Sequence, residues 1–226
     1  MGKLNVALDG PAGAGKSTVA RLVAGALGYT YVDTGSMYRA VTWKALQEGL
    51  MPEDADKIAE LAKRMRIDLL PGKSGQQVIV DGLDVTEEIR TPVVNRYVPQ
   101  IAQIPEVREH LVEKQKEIAS RKGVVMDGRD IGTKVMPDAE VKIFLTASVK
   151  ERAARRYKEM QASGQPVSLE QLEKEIASRD RLDEQRNISP LVRADDAILL
   201  DCTDMTVEEV VNKVLELCKA KGGGGG

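Results

Sequence analysis

The sequence predicts a three-layer α/β fold: a five-stranded parallel sheet between helices, a small antiparallel insertion and a helical lid. Three observations predict it. Near-continuous apolar runs at residues 4–8, 29–32, 124–126, 141–145 and 197–200 alternate with helix-period patterns, as strands buried on both faces do. The glycine-rich stretch Gly10-Pro11-Ala12-Gly13-Ala14-Gly15-Lys16-Ser17 joins the first run to the first helical pattern. Between about residues 66 and 90 the alternation lapses into short segments broken by Pro71-Gly72-Lys73-Ser74-Gly75 and Asp81-Gly82, which read as antiparallel hairpins. The expected organisation is a core over 1–59 and 101–221, with a lid at about 150–187, and an insertion over 60–100. The glycines at 222–226 read as an artificial tail.

Composition narrows the class. The chain has 226 residues, 42% of them hydrophobic, and carries 33 basic against 35 acidic groups for a net charge of −2. Such a balance gives no overall field for nucleic acid or an acidic membrane. One Phe, one Trp and five Tyr make no stacking platform for single strands. Cys202 and Cys218 form no CxxC pair and His110 is the single histidine, which argues against a zinc site. No secretory h-region opens the chain and no run has bilayer-spanning length. The expectation is a cytoplasmic monomer in a reducing compartment, with neither nucleic acid nor membrane as partner.

Taken in order, the first strand ends at Asp9 and leads into a loop of pattern G-x-x-x-x-G-K-[ST]. Its backbone N–H groups, and those of the helix from Lys16, Ser17 and Thr18 onward, suit phosphate oxygens. Lys16 would reach the β- and γ-phosphates of ATP, and the Ser17 hydroxyl would ligate Mg²⁺. The other strands also end in polar residues, Asp33, Asp127, Thr146 and Asp201, where ligands of parallel sheets bind.

Asp33-Thr34-Gly35-Ser36-Met37-Tyr38-Arg39 opens the second helix. Gly35 would permit a tight exit, and Thr34 and Arg39 lie about a turn apart. The stretch is either an ordinary capped helix or a grip on a second phosphate. A further helix runs from about 106 to 120 after Pro105. Asp127-Gly128-Arg129-Asp130-Ile131-Gly132-Thr133 follows the third strand. Arg129 suits bidentate phosphate binding, and Asp130 suits an exocyclic amine such as cytosine N4. Gly128 stands where a motor ATPase places a catalytic Glu, which disfavours water activation.

The sequences from Ser148, Ser168 and Thr206 match the capping box S/T-x-x-E/Q; the last opens an amphipathic helix with Val207, Val210, Val211, Val214, Leu215 and Leu217. Arg152, Arg155, Arg156, Arg179, Arg181 and Arg186 accumulate between. Arg155 has Glu151 four residues before it and reads as structural. The others suit a solvated face or an arginine-bearing lid that closes over a γ-phosphate, with its tip at Ser163-Gly164-Gln165-Pro166. A nucleotide-dependent switch is a rival reading, although no guanine-type N-K-x-D occurs. A kinase of a non-nucleotide acceptor, such as shikimate or a sugar, is another; the arginines fit a phosphate-bearing acceptor better.

These residues resemble the bacterial cytidylate kinase family of nucleoside monophosphate kinases. The resemblance also takes in Glu88-Ile89-Arg90-Thr91, Val107-Arg108-Glu109, Pro137 to Leu145, Glu151-Arg152-Ala153, Arg179-Asp180 and Ser189-Pro190-Leu191. It implies transfer of phosphate from Mg²⁺–ATP to CMP or dCMP, with Lys16, Arg129, Arg152 and Arg156 as catalytic residues, the last two in the lid. It implies that Arg39, Arg129 and Arg186, with Arg179, hold the CMP phosphate. Thr34, Arg108 and Asp130 would approach the cytosine and Asp183 the sugar hydroxyls. The insertion corresponds to an enlarged monophosphate-binding domain. Pro99 stands where the family usually has serine, which removes a hydroxyl and an N–H and makes a UMP-tolerant kinase the alternative.

Overall fold

A computed structural model describes residues 2–72, 75–162, 164 and 166–222. In chain order the elements are β1 (Asn5–Asp9), α1 (Lys16–Leu27), β2 (Thr30–Asp33), α2 (Thr34–Gln47), α3 (Ala55–Arg64), β3 (Ile67–Gly72), β4 (Gly75–Val80) and β5 (Leu83–Asp84). There follow α4 (Pro92–Ile101), α5 (Pro105–Ala119), β6 (Val124–Gly128), β7 (Val141–Thr146), α6 (Val149–Ala162), α7 (Leu169–Gln185), β8 (Ile198–Asp201) and α8 (Val207–Ala220). One sheet has the order β2-β6-β1-β7-β8 and the other β3-β4-β5. These are the parallel sheet and the antiparallel hairpins that the apolar runs predict, with strand ends within about two residues, the usual uncertainty of such boundaries. Lys73 and Ser74, in the expected first turn, lie outside the described residues.

The chain divides into two units, Met1–Thr30 with Lys122–Gly226, and Tyr31–Arg121. In the first, β1 pairs in parallel with both β6 and β7, and β7 with β8. Register puts Asp9 beside Gly128 and Phe144, and Thr146 beside Asp201. Polar strand ends therefore gather along one edge. Every residue of β1 and β6 is buried, which is why those runs lack the in–out alternation of a half-exposed strand. The second unit has its own core, including Met37, Val41, Ile58, Leu61, Val78, Val80, Ile89, Ile101, Val107 and Leu111. It takes in α2 and α5 besides the stretch 60–100.

Of the three expected capping boxes, only the one at Thr206 has both reciprocal bonds. The Ser148 and Ser168 hydroxyls accept from the N–H of Glu151 and Gln171. The Glu151 carboxylate, however, accepts from Arg155 at 3.0 Å, and the Gln171 amide donates to Glu175 at 2.8 Å. A partner one turn further on competes for the side chain that would complete the box.

One glycine fixes the exit from β1. Gly10 has φ of 147°, and a Cβ there would lie 1.9 Å from the carbonyl oxygen of Leu145 on β7. Gly10→Ala should lower the unfolding free energy by about 3 kcal/mol through backbone strain and overpacking. Gly25→Ala, on an exposed face of α1 with nothing near its Cβ, should raise it by about 0.5–1 kcal/mol. Urea denaturation of both variants checks the contrast; a tolerated Gly10→Ala would show that the loop leaves the sheet by another path.

Candidate functional site

The glycine-rich loop lies at the end of the buried β1. Gly15 adopts a left-handed conformation, and α1 starts at Lys16 with no side-chain cap. The first N–H groups of α1 thus have no partner inside the helix, and Ser17 and Thr18 are exposed beside them. Lys16 is buried, and its ammonium donates to the carbonyl oxygen of Pro11 within the same loop at 2.8 Å. Burial, and next the Arg129 guanidinium, pull its pKa down to about 7 against the opposing pull of Asp127, Asp183 and Asp9. An anion in the loop would restore its charge.

The Ser17 hydroxyl donates to Oδ2 of Asp127 at 2.9 Å. Two hard oxygen donors side by side at a phosphate loop match what Mg²⁺ takes from a protein, its remaining ligands being phosphate and water. No group of three or more His, Cys, Asp or Glu side chains among the described residues is placed to hold a metal by itself.

Asp9, just before the loop, accepts from the N–H groups of Ile131 at 2.8 Å and Gly132 at 2.7 Å. It ties the start of the phosphate loop to the turn that carries Arg129 and Asp130. The stem of Lys142 backs that turn, since a Cβ at Gly132 would sit 3.3 Å from it. Burial pushes the Asp9 carboxyl up to about 6 despite the two N–H donors.

Arg129 donates from Nε to Asp183 on α7 at 2.9 Å, and Arg186 lies 3.8 Å from the other oxygen of that carboxylate. Burial alone would raise the Asp183 pKa, but Arg129, then Arg179 and Arg186, hold it below the usual carboxylate value. Three predicted phosphate ligands thus surround one carboxylate. Asp130 is buried nearby in the chain, at the start of the turn Ile131–Val135.

The two predicted lid arginines differ. Arg152 is buried and donates to the carbonyl oxygens of Ala147 and Ala12 and to Asp180. Arg156 is exposed and makes no ion pair among the described residues. Arg155 pairs with Glu151 as expected, and also donates to the Cys202 carbonyl at 2.8 Å. At the expected lid tip, Ser163 and Gln165 lie outside the described residues.

In the second unit, Thr34 is the buried first residue of α2. Asp33 caps that helix, accepting from the N–H and the hydroxyl of Ser36 at 3.1 and 2.6 Å. Burial would raise the Asp33 pKa, but Arg39, Ser36 and Arg90 together depress it. Arg39 lies along the start of α2, 3.0 Å from where a Cβ of Gly35 would be. The sequence reading had Gly35 permitting a tight exit. Gly35 instead sits inside the first helical turn without a positive φ, and its use is to leave room for the guanidinium. Arg108 is buried, donates to the Ala102 carbonyl at 3.1 Å and lies over the Tyr38 ring at 5.2 Å. Pro99 lies inside α4.

A sequence model of the family described as cytidylate kinase matches residues 6–220. The chain belongs to the cytidylate kinase family. A cytidylate kinase from Bacillus subtilis (strain 168) is 52% identical over 219 residues, which cover 97% of this chain and 98% of its own. One from Desulforamulus reducens is 58% identical over 210 residues, 93% and 94% of the two chains. Among solved structures, the shikimate kinase of Bacteroides thetaiotaomicron superposes with a TM-score of 0.50 at 13% identity, covering 96% of this chain and 99% of that one; that likeness is one of fold. No helix among the described residues is long and apolar enough to cross a membrane.

Within this cytidylate kinase fold, sequence reasoning gave four residues no role of their own. Asp127 holds Ser17, and its place at a strand end was the signal. Arg90 reaches Asp33 at 3.4 Å, Asn95 accepts from Arg39 at 3.5 Å, and Gln76 accepts from the Asp33 N–H at 3.0 Å. These three pairings span 57, 56 and 43 residues, so no local pattern announces them.

Asp9 gives a testable pH dependence. Its carboxyl holds a proton to higher pH in the fold than at its ordinary 3.8. The folded state therefore binds more protons, and the stability this confers is lost as pH rises from about 3.8 through about 6, by at most about 1.4 kcal/mol per pH unit. Asp9→Asn should lack that slope, so the parent's unfolding free energy minus the variant's should fall as pH rises from about 4.5 and level off above about 6. A flat difference curve would show that Asp9 ionises normally.

Proposed function

We propose that the chain transfers the γ-phosphoryl group of ATP to CMP or dCMP, giving ADP and CDP or dCDP. Membership of the cytidylate kinase family supports this, and one observation carries the acceptor's chemistry. Arg129, Arg179 and Arg186 gather round the carboxylate of Asp183, and three guanidinium groups so grouped suit a phosphate dianion. A neutral sugar acceptor, which carries no anionic group, has no use for such a cluster.

The acceptor phosphate is already anionic at neutral pH, so no base is required. One of its oxygens attacks the γ-phosphorus in line, and the bond to the β–γ bridging oxygen breaks as ADP leaves with that electron pair. The backbone N–H groups of Gly10 and of Ala12 to Thr18 hold the triphosphate, Pro11 having none to give. Lys16 exchanges the Pro11 carbonyl for phosphate oxygens, which favour its charged form. Mg²⁺, held through Ser17 and Asp127, would neutralise the β- and γ-phosphates when bound with ATP. Arg129 orients the acceptor phosphate, while Arg156, exposed on α6, is the lid arginine able to turn toward the transferred group. In the second unit Arg39 would answer the acceptor phosphate and Thr34 and Arg108 the base; in the first, Asp130 would receive the cytosine amine. Both cysteines are free, in keeping with a reducing cytoplasm.

A coupled ADP-release assay across CMP, dCMP, UMP, AMP and GMP tests the reading. Turnover with CMP and dCMP well above the others is expected; tight ATP binding with no acceptor would point to a switch, and equal use of UMP to the broader kinase. Lys16→Ala should lower kcat by about a thousandfold, as loss of one preorganised transition-state donor does; near-normal turnover would remove Lys16 from the reaction. Asp130→Asn should raise KM for CMP about 10–100-fold with KM for ATP unchanged. Equal losses for both nucleotides would refute base reading by this carboxylate.

A further inference from the structure

Two carboxylates on one face of α7 grip two different parts of the first unit. Asp180 takes Arg152 bidentately, with NH1 to Oδ1 at 3.0 Å and NH2 to Oδ2 at 2.6 Å. The same guanidinium donates from Nε to the Ala147 carbonyl at 2.9 Å and from NH1 to the Ala12 carbonyl, inside the phosphate loop, at 2.9 Å. The side chain is 4% exposed. Its stem rests on the loop as well, for a Cβ at Gly13 would lie 3.3 Å from Cβ of Arg152. Arg152 is therefore less a free finger than a strut between loop and helix. Three residues along α7, hence on the same face, Asp183 grips Arg129 at 2.9 Å. Arg179 and Arg186 belong to the same stretch of chain. Helices α6 and α7 also share a small core of Ala153, Leu172 and Ile176, so the two pack as one piece.

We infer that Asp180 is a positioning residue that couples the two nucleotide sites. Through Arg152 it fixes the ATP loop to the helix whose Asp183 organises the arginines for the acceptor phosphate. This rests on the function proposed above. A buried fork pair cannot slip without stranding a charge, so the loop's Ala12 carbonyl and the Asp183 cluster have a fixed relation only while the pair is intact. Triphosphate in the loop settles Ala12, hence Arg152, Asp180 and α7, and with them the guanidinium groups for the monophosphate. Linkage makes the effect reciprocal: CMP must tighten ATP binding by the same factor.

The test measures CMP binding by titration calorimetry, with and without saturating β,γ-imido analogue of ATP, in the parent, Asp180→Asn and Arg152→Lys. The parent should bind CMP about tenfold more tightly with the analogue present. In Asp180→Asn that factor should fall to about one, while either nucleotide alone binds within about twofold of the parent. Arg152→Lys keeps the charge but loses the fork. It should lose the factor too, serves if Asp180→Asn does not fold, and should add nothing in the double variant. A factor that survives in both variants overturns the inference and leaves the pair a brace. So does a parent with no factor, or a loss of affinity for each nucleotide alone with the factor intact. A parent that binds the analogue but no CMP overturns the proposed function itself, and this inference with it.

Discussion

Charge buried at the end of a parallel sheet must find its counter-charge within the fold, and that constraint organises the first unit. Lys16 has lost enough water for its pKa to fall to about 7. Arg129 is held by Asp183 and Arg152 by Asp180, while the buried Asp127 carboxylate accepts from the Ser17 hydroxyl. Each pairing replaces hydration that burial removes, and each comes from a different element of the sheet edge or from α7. Asp9 is the exception that shows the cost: satisfied by two N–H groups rather than a full positive charge, its carboxyl keeps its proton to about pH 6. Internal pairs of this kind hold the cations in position when no nucleotide is there to do so.

The second unit meets the same constraint with different means. Asp33 is at once a helix cap and a counter-charge, accepting from Ser36 while its charge answers Arg39 and Arg90. Capping fixes the rotamer, and the fixed carboxylate then sets where the guanidinium groups can lie. Arg108 is buried over the Tyr38 ring and donates to a carbonyl, so cation–π attraction adds to its hydrogen bonding.

What was legible in the sequence is what local rules govern. Residues 124–126 read as a buried strand because nothing polar interrupts them, and 141–145 because Lys142 alone does, while Pro105 marked the break before a helix. The loop read as a phosphate site because its chemistry is entirely backbone, Lys and Ser at fixed spacing. Arg155 read as structural because its partner is four residues away. Arg152 did not read as a strut because Asp180 lies 28 residues along the chain and Ala12 lies 140 away. Only the packing of α6 on α7 brings them together. Nothing in the sequence marked helix α4, and Pro99 lies inside Pro92–Ile101, where a proline lacks the N–H of the helical ladder.

The contact of Gly10 with Leu145 has a hereditary side. Every missense change of a glycine codon adds at least a Cβ, and at this position the space a Cβ would take is already filled by a main-chain oxygen that no neighbouring substitution can shrink. Drift elsewhere can be compensated by a smaller side chain nearby; here the obstacle has no side chain to exchange. Lineages that keep this sheet therefore have one spelling available at the mouth of the loop, and variation in how they bind a nucleotide has to arise at other positions.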